Sequence, residues 1–327
     1  MPGWMRSAGV TQEKIVLLIS VALFCVFSMT LNGFLSSGNI VALVRSVSTL
    51  GILGVGMAIV VIGRGIDLTI VTTYAMSAAW TFHLANAGVS IGVAMMLGFL
   101  LSLAVGGVNG VLIAYVEIPA FFATLGMASF VYGFVRYVLV PLYVVYMPAN
   151  GAPIAWIGGG FVFGVPTPIL FFALISLAGF LFLRFTKQGR FIYAIGDNFA
   201  AARNTGAPVR PVIVLQYMLS TSIAYVAGLI TATAVNSMNT NIATSSMIYD
   251  VILVVVLGGI GLSGGRGGIR NVLVGTLLIG ILLNGMTIMN IQYTMQNVIR
   301  SLILLLAIVL DSIVNPRDEQ TAQQGDI

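Results

Sequence analysis

The chain has 327 residues, 59% of them hydrophobic and 7% charged, with a mean hydropathy of +1.07 and a formal net charge of +5. A soluble domain carries about 25% charged residues, so the composition excludes one. The apolar runs, each of about 20 residues and long enough to cross roughly 30 Å of hydrocarbon, exclude a β-barrel built from shorter alternating segments.

Taken in order, residues 1–13 form a short polar start and residues 14–30 a first predicted span. No A-x-A-like cleavage site follows this apolar region, so it reads as an uncleaved span and not as a signal peptide. An uncharged turn, 31–39, leads to a second span at 40–63; a third, at 66–85, follows Arg64 and has Asp67 at its mouth. Spans four and five are expected at 91–116 and 119–140, on either side of Glu117. The stretch 141–165 has no charges and holds Pro148, Pro153 and Gly158-Gly159-Gly160, which suits an outside loop lying on the membrane. Spans six to ten are expected at 166–185, 211–235, 245–262, 269–290 and 293–311, and the polar tail 315–327 is expected to be mobile. The reading is an all-α polytopic membrane protein of about ten helices in one domain, embedded from about residue 14 to residue 311.

Charge tests that count. An even number of crossings places both termini in the cytoplasm. The inside connections then hold Arg6 and Lys14, Arg64, the stretch 184–210, Arg266 and Arg270, and Arg317. Those centred on Ser36, Asn86, Asn150, Asn239 and Ile291 carry neither Lys nor Arg. Basic residues resist translocation, so this alternation fits the orientation, and the positive net charge reflects cytoplasmic loops and not a nucleic-acid partner. The single cysteine, Cys25, and the single histidine, His83, suggest no disulfide, metal site or catalytic dyad.

The stretch 184–211 is the long polar segment within the apolar chain. It carries Arg184, Lys187, Arg190, Arg203 and Arg210 against one acid, Asp197. Asp197 or Asn198 can N-cap a short helix through Phe199, Ala200, Ala201, Ala202, Arg203, Asn204 and Thr205; Gly206 can end it, and Pro208 blocks its continuation. Held outside the bilayer, such a helix is a handle for a soluble partner; the plainer alternative is a basic connector.

Two internal similarities compete. Asn109-Gly110 in the fourth span matches Asn284-Gly285 in the ninth, which implies an inverted repeat, the preferred relation. Residues 65–69 resemble 259–263, which implies parallel repeats. The glycine-rich stretch 258–268 (GGIGLSGGRGG) resembles a phosphate cradle but lacks the G-K-[ST] ending of a P-loop, so it reads as a tight cytoplasmic turn. Arg45, Arg136, Arg300 and Asp250 fall near the outer ends of spans. Ionisable groups in lipid are costly, so they read either as a polar translocation path or ion pairs across helices, such as Asp250 with an arginine, or as side chains snorkelling to the interface. The asparagines Asn109 and Asn284 join the candidate path.

Four ordered motifs carry a family resemblance: GRGIDLT (63–69), IPAFFATLGM (118–127), GRFIYAIGDNFAAARNTGAPV (189–209) and LGGIGLSGGRGGI (257–269). Together they resemble the membrane permease of ribose/xylose/arabinose-type bacterial ABC sugar importers, over about residues 40–311. Branched-chain amino-acid permeases are more distant relatives. Val71 stands where the family's motif carries glycine, and Gly261 makes the last motif richer in it. The resemblance implies a dimer of permeases in the bacterial inner membrane, gated by an ATPase below and a periplasmic sugar-binding protein above, with the coupling helix at about 198–206. It implies import of a ribose-like pentose or related sugar, with ATP hydrolysed by the partner and no cofactor here. Phe121, Phe122, Tyr132 and Phe134 could stack on a passing sugar, or face lipid or core. Two other classes compete. An ion-coupled secondary transporter would need mid-membrane carboxylates, and an intramembrane enzyme would need a nucleophile–base pair.

Overall fold

The computed structural model describes residues 12–314. The polar start as far as residue 11 and the tail expected to be mobile, 315–327, lie outside the described residues, as do Arg6 and Arg317. Helices dominate: α1 (Gln12–Thr30), α2 (Ser37–Ile62), α3 (Ile70–Asn86), α4 (Ile91–Ala114) and α5 (Ala120–Phe134, continued by one π turn, Val135–Leu139). After an irregular segment come α6 (Trp156–Gly159), α7 (Thr167–Phe185), α8 (Lys187–Asp197), α9 (Phe199–Asn204), α10 (Val209–Ala234), α11 (Met247–Gly258), α12 (Ile269–Ile288) and α13 (Tyr293–Val314). Seven are long and apolar enough to cross a membrane: α1, α2, α4, α5 with its π turn, α7, α10 and α12. The apolar α11 and α13 and the 17-residue α3 fall on the other three predicted spans. The protein is a multi-pass helical membrane protein.

Two helices hold the centre. Helix α2 is buried without a break from Leu50 to Ile62, and α10 buries residues on every side, including Tyr217, Ala224 and Ile230. A helix apolar all round belongs in the core of a bundle. Helices α3 and α4 pack on α10, and α11 and α12 pack on α2. Helix α7 lies against α2, α1 against α12, and α13 against α11. Small residues allow a close crossing: a Cβ on Gly106 would lie 2.5 Å from the Tyr217 carbonyl oxygen, and one on Gly110 2.5 Å from Val214 Cα, so α4 meets α10 backbone to backbone.

Several boundaries differ from the sequence reading, each for a local reason. The third span starts at Ile70 and not near 66, because the Asp67 carboxylate accepts the Thr69 amide (3.0 Å) and holds the preceding residues in a turn. The eighth stops at Gly258 and not 262, because Gly259 takes the left-handed conformation (φ 100°). The basic stretch holds two helices where one was expected. Helix α8 begins at Lys187, where the Thr186 hydroxyl accepts from Gly189 N (3.0 Å). The uncharged stretch 141–165 contains short strands as well: β1 (Val144–Tyr146) pairs antiparallel with β4 (Ser237–Asn239), and β2 (Phe161–Val162) with β3 (Val165–Pro166).

Candidate functional site

The helix expected at 198–206 is present as α9. Of the two possible caps, Asn198 serves: its side-chain oxygen accepts from Ala201 N at 2.9 Å. Gly206 closes the element at φ 81°. Ala202 is buried against the body, while Phe199, Ala201, Arg203 and Asn204 are exposed, so one face is seated and the other is free. At the base of α10, Arg210 pairs with Glu117 at 3.2 Å, half exposed, tying this stretch to the α4–α5 connection.

Helix α8 docks the stretch onto the bundle. Its last residues, Gly196 and Asp197, lie against the end of α2 and the glycine-rich turn between α11 and α12. In that turn Gly265 N donates to the Ile62 carbonyl (2.8 Å), and the positive φ of Gly264 (79°) and Gly265 (71°) lets its backbone fold into the gap. Tyr193 of α8 donates to the Gly267 carbonyl at 2.8 Å, and partial burial raises its phenol pKa, which keeps the donor protonated. The two turns that resemble each other in sequence, 65–69 and 259–263, therefore belong to adjoining connections on one face.

Behind this junction lies a polar cluster built around Asp67, which is fully buried. One carboxylate oxygen accepts from the amide and the hydroxyl of Thr69; the other accepts from Ser220 of α10 at 2.7 Å. Asn109 of α4 donates to the Thr69 hydroxyl (3.0 Å), and Tyr217 of α10 donates to the Ile66 carbonyl (3.3 Å). The α2–α3 turn is thus bonded to α4 and α10 at once. The Asn109 side-chain oxygen and the Gln216 side-chain nitrogen are buried with no partner among the described residues.

The remaining candidates do not gather in one place. Asp250 and Arg300 do meet: Arg300 donates to the Asp250 carboxylate at 2.6 Å, with the two side chains 8% and 7% exposed. Arg300 also donates to the Asn297 side chain (2.6 Å) and the Gln296 carbonyl (3.2 Å), and Ser246 joins the same Asn297 (3.0 Å). Arg45 stands 5.6 Å from the centre of the Phe161 ring, and Arg136 4.1 Å from that of Tyr143 while donating to the Val140 carbonyl. Each of these two arginines is covered by an aromatic from the stretch 141–165. Asn284 exchanges two amide bonds with Asn39 (2.8 and 3.0 Å), joining α12 to α2. Phe121 is 49% exposed and lies edge-on to Phe122.

Comparison with known proteins decides the family. The branched-chain amino acid transport system / permease component family matches residues 39–308. The chain belongs to that permease family. It is similar to the ribose import permease protein RbsC of Escherichia coli K12, 30% identical over 94% of this chain and 96% of the relative. It is also similar to the probable ABC transporter permease protein YphD of the same strain, 33% identical over 94% and 92%. The galactofuranose transporter permease protein YtfT is 29% identical over 84% and 80%. No solved structure matches.

The sequence reading of this permease overlooked the Asp67 cluster. The sequence reading puts Asp67 at the mouth of the third span, although D-x-T with the oxygen of Asp two residues ahead of an amide is a turn signature. Ser220, its partner in α10, carries no signal of its own; hydroxyl residues are scattered through all the spans.

Proposed function

We propose that the permease imports a monosaccharide, a ribose-like pentose or a related sugar, on energy drawn from a separate ATPase subunit. Its full set of partners would be that ATPase, a periplasmic sugar-binding protein, a second permease copy or homologue, and the surrounding lipid. The observation that carries this is α9: a capped helix presented between two spans, seated by Ala202 and open on its other face. The names of the similar proteins supply the sugar. The basic-inside alternation supports ten crossings with both termini cytoplasmic, which puts α9 on the side where ATP is available. ATP-driven closure of the ATPase would shift α9 and α8 and switch the bundle between inward- and outward-facing states, each binding its ligand differently. The buried Asp250–Arg300 pair would brace or line the outer part of the route. The candidate path residues Arg45, Arg136, Asn109, Asn284 and Phe121 lie apart from that pair and would meet the sugar at separate points of the route.

The test is Ala201→Pro. Proline inside a helix costs about 3 kcal/mol and removes a donor, so α9 should unwind while the spans assemble. In a complex reconstituted with the ATPase and binding protein, sugar-stimulated ATP hydrolysis and sugar uptake should both collapse. Normal stimulation in a stably assembled complex would remove α9 from the coupling role.

A further inference from the structure

The face that carries α8 also holds a cavity of about 520 Å³ between α1, α7, α8 and the start of α12. Its lining includes Arg184, Arg190 and Arg270, with Glu13 as the only acid. None of the three arginines makes an ion pair with a described residue. Arg184 and Arg270 converge on one ring, 5.6 and 6.0 Å from the centre of Phe180. All three arginines are exposed, so water weakens the repulsion between them, and an anion standing among them would turn it into attraction. Helix α12 begins at the same cavity, and its N-cap is Gly268, which has no side chain to satisfy the first amides. A helix start of this kind adds partial positive charge.

The rest of the lining says what kind of anion. Phe180 and Leu183 belong to the apolar span α7, and Arg184 closes its last turn. The cavity therefore sits where a span leaves hydrocarbon, and its lining brings apolar side chains and guanidiniums together. We propose that it holds the headgroup of an anionic phospholipid, the phosphate against the arginines and the acyl chains along Phe180. The glycine-rich stretch that resembles a phosphate cradle then contributes Gly267 and Gly268 to a phosphate site, though not to a nucleotide site. Placement in the inner leaflet rests on the orientation proposed above; binding of the headgroup does not, so cysteine labelling and lipid binding fail separately.

The test uses the full chain in nanodiscs of phosphatidylcholine with a minor fraction of phosphatidylglycerol, followed by release into detergent and native mass spectrometry. The wild-type protein should retain phosphatidylglycerol over phosphatidylcholine. Arg184→Gln/Arg270→Gln should lower that retention roughly thirtyfold, since each basic residue near an anionic surface contributes about a factor of five. Arg184→Lys/Arg270→Lys should recover most of it, because lysine still binds phosphate as a point charge. Equal retention by the wild type and the Gln variant, or equal retention of the two lipids, would overturn the proposal. Displacement of the lipid by inorganic phosphate would identify a free-phosphate site and overturn it as well; persistence of the lipid in phosphate supports it.

Discussion

Arg300→Ala leaves Asp250 buried with no cation. One of its carboxylate oxygens already lacks a described partner, and the other would lose its 2.6 Å contact. Removing one member of a buried ion pair costs about 3–5 kcal/mol, whereas replacing both members with apolar residues of similar volume is often neutral or stabilising by about 1–4 kcal/mol. The single variant should therefore lose its monodisperse peak at a clearly lower temperature than wild type when the full chain is heated in detergent. Asp250→Leu/Arg300→Met should return to the wild-type temperature, because Asn297 keeps Ser246 as a partner. Uptake then separates bracing from lining: a stable double variant that still transports shows a brace, and a stable one that does not transport places the pair on the route. Arg300→Ala with wild-type thermal stability would refute the argument, since the pair would then not be desolvated as its burial requires.

Other outcomes follow from the same geometry. In a Cys25→Ser background, cysteines at Asn150 and Asn239 should react with an impermeant maleimide from outside and one at Arg203 only from inside; external reaction at position 203 would reverse the orientation. Asp67→Ala strips the acceptor from Ser220 and Thr69 and should cost about 1–3 kcal/mol in detergent stability, with Asp67→Asn milder because one acceptor oxygen remains. Wild-type stability of Asp67→Ala would show that the α2–α3 turn does not depend on it. Glu117→Ala should change stability by less than about 1 kcal/mol, because its pair with Arg210 is half exposed and screened; a larger loss in the same melting assay would mean that the pair is not screened as its exposure requires.

The helices are legible because hydrocarbon demands long apolar segments: each predicted span finds a helix within a few residues of it, and seven of those helices are long and apolar enough to cross a membrane. What blurred the ends was backbone chemistry at single residues, the Asx turn at Asp67 and the left-handed Gly259. Helix α8 was missed although it carries a signal: Thr186 as cap, then Gly189, Ile192, Ile195 and Gly196 buried along one side. Its glycines and charges pointed to a loop; packing on the ends of α2 and the glycine turn overrides their low helix propensity. The β1–β4 pairing was not legible at all, since it joins segments far apart in the chain. Which arginine takes Asp250 was open for the same reason: partner choice is set by how α11 and α13 cross, and no local pattern records that.

The motion proposed for α9 would reach the bundle through rigid contacts, and the structure holds a series of them. Helix α9 follows α8 with Asn198 as the shared residue. Helix α8 ends against Ile62 and Gly265, where a side chain on Gly196 would collide with backbone. The α2–α3 turn that starts beyond Ile62 is bonded through Asp67 and Thr69 to α10 and α4. A close backbone contact transmits displacement because it has no side-chain rotamers to absorb it. The glycines at this junction are therefore needed for more than tight turns: they place three connections within backbone reach. The most buried carboxylate of the described chain stands at the next link, where the central helices α2 and α10 are joined.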